Sequence, residues 1–310
     1  MMRSDKPKIV VICGPTGIGK TAAAIRAAET FNGEIISADS MQIFRYMDIG
    51  TAKPTREEQS RVPHYMIDIA DPDEAFDALK FAEIAREKIR KLHERNILPV
   101  VAGGTGFYIR ALLHGLFDAL PADPHIRTRL KQEAEEKGLD FLYRRLQQCD
   151  PYSAERIHPN DRYRILRGLE VYETTGKKIS EYQRGHGFAD EPFNALKIGI
   201  CTDRAVLYER INRRVEAMIA EGLIEEVGNL LNMGYSSSLN SMQSIGYRHI
   251  AEVLEKSVPI DEAVATMKQD TRRYAKRQLT WFRADPQVIW TEPGDTESLF
   301  ARIGEFLDAE

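Results

Sequence analysis

Residues Gly14, Pro15, Thr16, Gly17, Ile18, Gly19, Lys20 and Thr21 fit the phosphate-loop pattern G-x-x-x-x-G-K-[ST] at every fixed position. The apolar run at 9–12 before them reads as a buried strand, and the alanine-rich segment at 22–28 after them reads as a helix. Strand, glycine turn and helix is the setting that this pattern requires. Glycines let backbone N–H groups turn inward around an anion, and the helix N-terminus adds partial positive charge. Lys20 is placed to reach the outer phosphate oxygens and the Thr21 hydroxyl to face a magnesium ion. The chain is therefore expected to bind a di- or triphosphate, as nucleotide-binding and ATP-binding loops do. The loop alone does not say which one, or what is done with it.

Strand and helix go on alternating. Residues 34–38 read as a second strand and 65–69 as a short, weaker one. A helix is expected from about Ala78 to about His93, with Phe81, Ile84, Ala85, Ile89 and Leu92 on one face. Residues 96–102 form another buried strand pattern, ended by Gly103 and Gly104. Such alternation predicts a parallel sheet with helices on both faces. From about Asp118 to Gly187 the strand patterns stop and helical ones take over, at 126–137, 140–148 and 161–174. Strand character returns at 195–200 and, briefly, at 288–290. The expected fold is α/β: a P-loop NTPase-like core with a parallel sheet flanked by helices, plus an all-helical insertion domain. The core would comprise 1–118 and 188–310, and the insertion 119–187.

A net charge of −4 gives no global signal for nucleic acid, so any such site must be a local patch. Cys13, Cys149 and Cys201 are far apart and form no C-x-x-C pair, which points away from a disulfide framework or a zinc site. The N-terminus has no signal-peptide core, and no apolar run approaches membrane-spanning length. A cytoplasmic protein without membrane association, and a monomer, is the expectation.

Asp39 follows the second strand. In open parallel α/β sheets, ligands bind beyond the carboxyl ends of the strands, so Asp39 is expected near the phosphates. It would take a proton from an acceptor or hold magnesium, although an aspartate before serine also serves as a cap or turn residue. No carboxylate follows the strand at 98–102, where a motor-type NTPase would usually carry one. Gly103-Gly104-Thr105-Gly106 stands there instead, which favours a group transferase with room for a substrate. Arg214 lies on a helix whose apolar stripe is Ile211, Val215 and Met218. It offers a second cation opposite Lys20 for a departing polyphosphate. Residues 268–283 carry Lys268, Arg272, Arg273, Lys276, Arg277 and Arg283 with Tyr274, Trp281 and Phe282 interleaved. Such a helix suits RNA, or is an amphipathic helix with its aromatics in the core.

These residues carry a resemblance. Gly14 to Thr21, Asp39-Ser40-Met41-Gln42, Met47-Asp48-Ile49-Gly50-Thr51-Ala52-Lys53-Pro54, Gly103 to Tyr108, Ser244-Ile245-Gly246-Tyr247-Arg248 and Ala275-Lys276-Arg277-Gln278-Leu279-Thr280-Trp281 occur in order over nearly the full length. Together they resemble the bacterial tRNA dimethylallyltransferase (tRNA isopentenyltransferase) family. Two departures are Tyr46, where the family often has glycine, and Tyr65, where it often has a second histidine. The resemblance implies transfer of a dimethylallyl group from dimethylallyl pyrophosphate to N6 of the adenosine 3′-adjacent to the anticodon of tRNA. It implies Asp39, Lys20, Arg214 and Thr105 as catalytic residues and Mg2+ held partly by Thr21. The loop would then cradle the leaving pyrophosphate. Contacts to the tRNA anticodon stem-loop are implied for Asp39, Ser40, Met41, Gln42, Thr105, Asn160, Asp161, Arg162, Tyr163, Arg164, Ser244, Gly246, Tyr247 and Arg248, with Arg272 and Arg277 added by the basic helix. The alternatives are a P-loop small-molecule kinase, and dimethylallyl transfer to a free adenine nucleotide.

Overall fold

The structure, a computed structural model, describes residues 6–116, 123–186 and 191–309. Its centre is a six-stranded, wholly parallel sheet in the order β3-β2-β4-β1-β5-β6. The strands are β1 (Lys8–Cys13), β2 (Gly33–Ser37), β3 (His64–Tyr65), β4 (Leu98–Gly103), β5 (Asn194–Ile200) and β6 (Ile289–Thr291). In β1, Ile9, Val10, Val11 and Ile12 are all fully buried. A strand covered on both faces has no solvent side and so reads as an unbroken apolar run.

Helices α1 (Lys20–Thr30), α2 (Arg56–Arg61), α3 (Ala78–Glu94) and α4 (Gly106–His114) lie between the first strands in sequence. Thr55 and Glu58 form a reciprocal capping box on α2, which satisfies two otherwise orphaned donors. Asp77 caps α3 by accepting from Leu79 and Lys80 N–H. Ala78, Phe81, Ala82, Ala85, Ile89 and Leu92 are the buried face of α3, whereas Ile84 is exposed, contrary to expectation. The edge strand is also shorter than the apolar pattern predicts. Met66 and Asp68 take positive φ (64° and 54°), and this turns the chain out of the sheet after Tyr65.

The described residues divide into two compact units. One runs to Leu113 and resumes at Glu191; the other begins at His114. Positions 118–119 and 187–188, where the sequence places its boundaries, lie outside the described residues. In the second unit the described residues form five helices and no strand: α5 (Pro124–Lys137), α6 (Leu139–Cys149), α7 (Pro151–Arg156), α8 (Arg162–Thr175) and α9 (Ile179–His186). Leu130, Leu142, Leu146, Ile165 and Leu169 form its core. The short α7 and α9 escape sequence periodicity and are joined by Asp150. That fully buried carboxylate accepts from the N–H and hydroxyl groups of both Ser153 and Ser180.

After β5 the first unit continues with α10 (Arg204–Ala220), α11 (Leu223–Asn232), α12 (Tyr247–Lys256), α13 (Ile260–Arg283) and α14 (Thr296–Asp308). A second cluster, including Ile43, Met47, Val215, Leu223, Met242 and Tyr247, packs α10 to α13 against the loop that follows β2.

Candidate active site

The phosphate loop connects β1 to α1 as the pattern requires. Gly14 has φ 147°, and a Cβ there would stand 2.5 Å from the Ile200 carbonyl oxygen. Only glycine lets the loop leave β1 so close to β5. The loop borders a cavity of about 680 Å³, lined among others by Thr16, Lys20, Thr21, Asp39, Gln42, Arg214 and Tyr274. Lys20 is half-buried in its lining and donates to the Pro15 carbonyl (2.8 Å). Burial pushes the Lys20 ammonium down to about 8, against the pull of Asp39, with Arg214 adding to the depression. Burial also lowers Arg214 from its ordinary value, again opposed by Asp39. Lys20 and Arg214 thus face the loop end of the cavity together with Asp39, whose charge acts on both.

Asp39 forms an Asx turn: its Oδ1 accepts from Met41 N–H (2.8 Å) and Gln42 N–H (3.4 Å). The turn fixes the carboxyl group beyond the end of β2 and leaves Oδ2 for a ligand. Beside it, Thr105 Oγ1 accepts from Ser40 N–H (3.0 Å) and donates to Ser40 Oγ (3.3 Å).

A second cavity, of about 320 Å³, takes in Ser40, Met41, Gln243, Ser244, Arg248 and Arg277. Six residues border both cavities: Thr16, Asp39, Thr51, Arg214, Met218 and Tyr274. Asp39 therefore stands where a pocket headed by the phosphate loop meets one walled by α10, α12 and α13. Burial, and then the charge of Asp39, push the Tyr274 hydroxyl up to about 12, so it remains a donor. The Ser244 hydroxyl in the second cavity is buried without a hydrogen-bond partner among the described residues.

The loop from Asp48 to Lys53 walls the first cavity and is held at two points. Lys53 Nζ donates to Asp48 (2.5 Å), Asp68 (2.6 Å) and the Phe44 carbonyl (2.9 Å). Glu226 on α11 accepts from the N–H groups of Asp48 (2.9 Å), Ile49 (2.8 Å) and Gly50 (3.1 Å) and from the Tyr247 hydroxyl (2.6 Å). No local pattern reveals Glu226, because its backbone partners lie more than 170 positions away. Tyr46 has φ 66°, the left-handed region that glycine favours.

Several residues singled out in the sequence sit differently from their expected role. Tyr247 is fully buried and spends its hydroxyl on Glu226, so it supports the cavity wall and presents no surface to an RNA. Gly246 is buried too, at φ 97°. Both ends of the Gln42 amide are engaged: Ser37 Oγ donates to it, and it donates to the carbonyls of Thr51 and Ala52. Arg272 donates to Asn212 (2.7 Å) and lies over the Tyr208 ring. Arg277 is exposed and borders the second cavity. The glycines at the end of β4 and after it make room for protein, and Gly103 also borders the first cavity. Ala38 packs on Gly103, the Gln278 amide on Gly104 and Trp281 on Gly106. Gln278 bridges the two glycine loops, accepting from Thr16 N–H (2.8 Å) and donating to the Gly104 carbonyl (2.9 Å). The face of α13 with Ala275, Gln278 and Phe282 is buried, which answers the choice between core and RNA helix residue by residue. In the second unit Asn160, Arg162, Tyr163 and Arg164 are exposed, and Asp161 caps α8 by accepting from Arg164 N–H (3.1 Å).

No group of three or more His, Cys, Asp or Glu able to hold a metal occurs among the described residues. The Thr21 hydroxyl beside Lys20 fits a different arrangement. Magnesium commonly takes one or two protein oxygens and the rest from phosphates and water.

Residues 42–285 match the family model described as IPP transferase. The tRNA dimethylallyltransferase of Desulfosudis oleivorans is 56% identical over 287 residues, covering 93% of this chain and 91% of the relative. The tRNA dimethylallyltransferase 2 of Syntrophus aciditrophicus is 51% identical, covering 99% and 98%. The crystal structure of the full-length tRNA isopentenylpyrophosphate transferase of Bacillus halodurans aligns with a TM-score of 0.73 at 40% identity, over 98% of this chain and 97% of the other. A eukaryotic dimethylallyltransferase captured acting on tRNA aligns with a TM-score of 0.81 at 27% identity, over 97% and 79%.

Proposed function

This chain belongs to the IPP transferase family of tRNA dimethylallyltransferases, and from that premise we propose how its two joined cavities carry out the family's reaction. The reaction transfers a dimethylallyl group from dimethylallyl pyrophosphate to N6 of the adenosine 3′-adjacent to the anticodon of tRNA and releases pyrophosphate. The observation that carries the assignment of sites is the seam at Asp39. The first cavity has a phosphate loop with Lys20 and Arg214; the second is lined by the hydroxyl groups of Ser40, Ser244 and Tyr274 and by Arg248 and Arg277.

In this reading the pyrophosphate lies on residues 14–21, with Lys20 and Arg214 on its oxygens. The adenosine leaves its stack to enter the second cavity. At the seam the C1–O bond of the donor breaks and the N6–C1 bond forms. Pyrophosphate carries away the electron pair, stabilised by Lys20, Arg214 and the loop N–H groups. Asp39 accepts the proton that N6 loses, its carboxyl held in place by the Asx turn. Thr105 and Ser40, hydrogen-bonded to each other, stand beside that carboxyl to orient the base. Thr21 would hold Mg2+, which supplies further charge neutralisation on the pyrophosphate when bound.

RNA contacts are assigned to Ser40, Met41, Ser244, Arg248 and Arg277 at the second cavity, and to Asn160, Arg162, Tyr163 and Arg164 on the helical unit. No helix among the described residues is long and apolar enough to cross a membrane.

The test is transfer of labelled dimethylallyl from its pyrophosphate, with magnesium, to three acceptors: unmodified tRNA, the same tRNA with that adenosine replaced, and free AMP. Label in the first alone is the expected result. Label in AMP would move the acceptor to free nucleotides. Equal label in both tRNAs would remove the assigned target base.

A further inference from the structure

Of the six residues that border both cavities, five carry a polar group, and Met218 alone is wholly apolar. It is 8% exposed and packs in the cluster that holds Ile43, Phe44, Met47, Val215 and Leu223. Arg214 and Met218 are four residues apart on α10, so they stack on one face with Cβ atoms about 5–6 Å apart. That face offers a cation and then a thioether, the order of an allylic pyrophosphate read from its charged head to its branched tail. Ala52, Ala102 and Ala217 also border the first cavity, with small side chains that take little of its volume.

We propose that Met218 sets the length of the allylic chain that the donor can carry, closing the seam behind a five-carbon group. The inference rests on the donor assigned above. A tail longer by one isoprene unit would meet the Met218 side chain before its pyrophosphate reached Lys20 and Arg214. It would also extend into the space that the adenosine needs. Met218 is in this sense a specificity-determining residue, in contact with the donor but without a part in proton or electron transfer. A methionine that only filled the core would affect stability and not the choice between donors.

The experiment compares kcat/KM for dimethylallyl pyrophosphate and geranyl pyrophosphate on one unmodified tRNA, in wild type, Met218→Val and Met218→Ala. Inorganic pyrophosphate serves as a competing probe of the head site. The expected result is a wild type selective for the five-carbon donor. The ratio of geranyl to dimethylallyl activity should then rise through Val to Ala, by roughly tenfold or more at Ala, since each methylene in a fitted pocket shifts selectivity on that scale. Inhibition by pyrophosphate should change less than about twofold. A ratio unchanged in both variants, with pyrophosphate inhibition intact, would overturn the proposal, as would a wild type that uses both donors equally. Should Met218→Ala not fold, Met218→Val decides alone on the same ratio. A wild type that transfers neither group would instead sink the donor assignment itself, which keeps the two failures apart.

Discussion

The two cavities that meet at Asp39 are built by different means. The head of the first is backbone that is contiguous in sequence, the loop 14–21 and the start of α1, although its other walls come from the segment after β2, from α10 and from α13. The loop's conformation follows from three glycines with positive φ, at 14, 17 and 19, and from the strand that delivers it. The second is lined by side chains from α10, such as Val215 and Met218, from α12, such as Arg248, and from α13, such as Thr271, Tyr274 and Arg277, which meet only when these helices pack. A backbone-built anion site announces itself in a short motif. A side-chain-built one exists only after distant helices have packed. Substitutions should therefore act on the two sides in distinguishable ways.

The largest effect is expected at the seam, where both sides depend on one group. Asp39→Asn keeps a turn-forming side chain but cannot take a proton, and turnover should fall by about 10²–10⁴. Pyrophosphate and tRNA affinities, measured separately, should shift only a few-fold. Turnover within tenfold of wild type would remove Asp39 from proton transfer.

Tyr247→Phe tests whether the wall is held from α11 and α12. It strips one hydrogen bond from a carboxylate, worth about 1.5–3 kcal/mol. A urea titration should show a loss of that order, with the salt dependence of tRNA binding unchanged. An altered salt slope with intact stability would restore Tyr247 to the RNA surface.

Lys20 gives the backbone-built side a pH signature. With its ammonium depressed to about 8, the free protein holds Lys20 charged below that pH and increasingly neutral above it. Bound pyrophosphate needs the charge, so binding above pH 8 must take up a proton. Affinity should then fall by up to about tenfold per pH unit. Lys20→Arg, which does not titrate in that range, should remove this component in calorimetric titrations from pH 6.5 to 9.5. An identical pH profile in both proteins would mean that Lys20 does not sense the ligand.

The smallest expected effect separates two arginines of one helix. Arg277 is exposed at the second cavity, whereas Arg272 is already held by Asn212. Arg277→Ala should lower the slope of log K for tRNA against log salt by about 0.7–0.9, as loss of one phosphate contact does. Arg272→Ala should change it less. The reverse order would assign the RNA to the other face of α13.

The same contrast explains what the sequence could tell. The order of strands and helices, the phosphate loop and Asp39 at the end of β2 rest on local pattern and chain topology, and could be read directly. Glycines 104 and 106 read as room for a substrate because their occupants, Gln278 and Trp281, come from elsewhere in the chain. Tyr247 lay in a stretch that the resemblance assigned to RNA, and nothing in its neighbours in sequence reveals Glu226. Met218 read as core because the same apolar stripe on α10 serves packing and cavity alike. Ile84 fitted the helical period of α3, yet falls at the margin of the stripe that the sheet covers.

The central claim is that the two cavities are separate sites that share one wall, so both substrates are held at once. Binding of an anticodon stem-loop RNA should be measured by fluorescence anisotropy with and without saturating inorganic pyrophosphate and magnesium. Two joined sites predict that the RNA still binds the pyrophosphate-loaded protein, with an affinity within a few-fold of that for the free protein. Competition, with the apparent Kd for RNA rising in proportion to pyrophosphate, would mean that both ligands use one site, and would contradict the account.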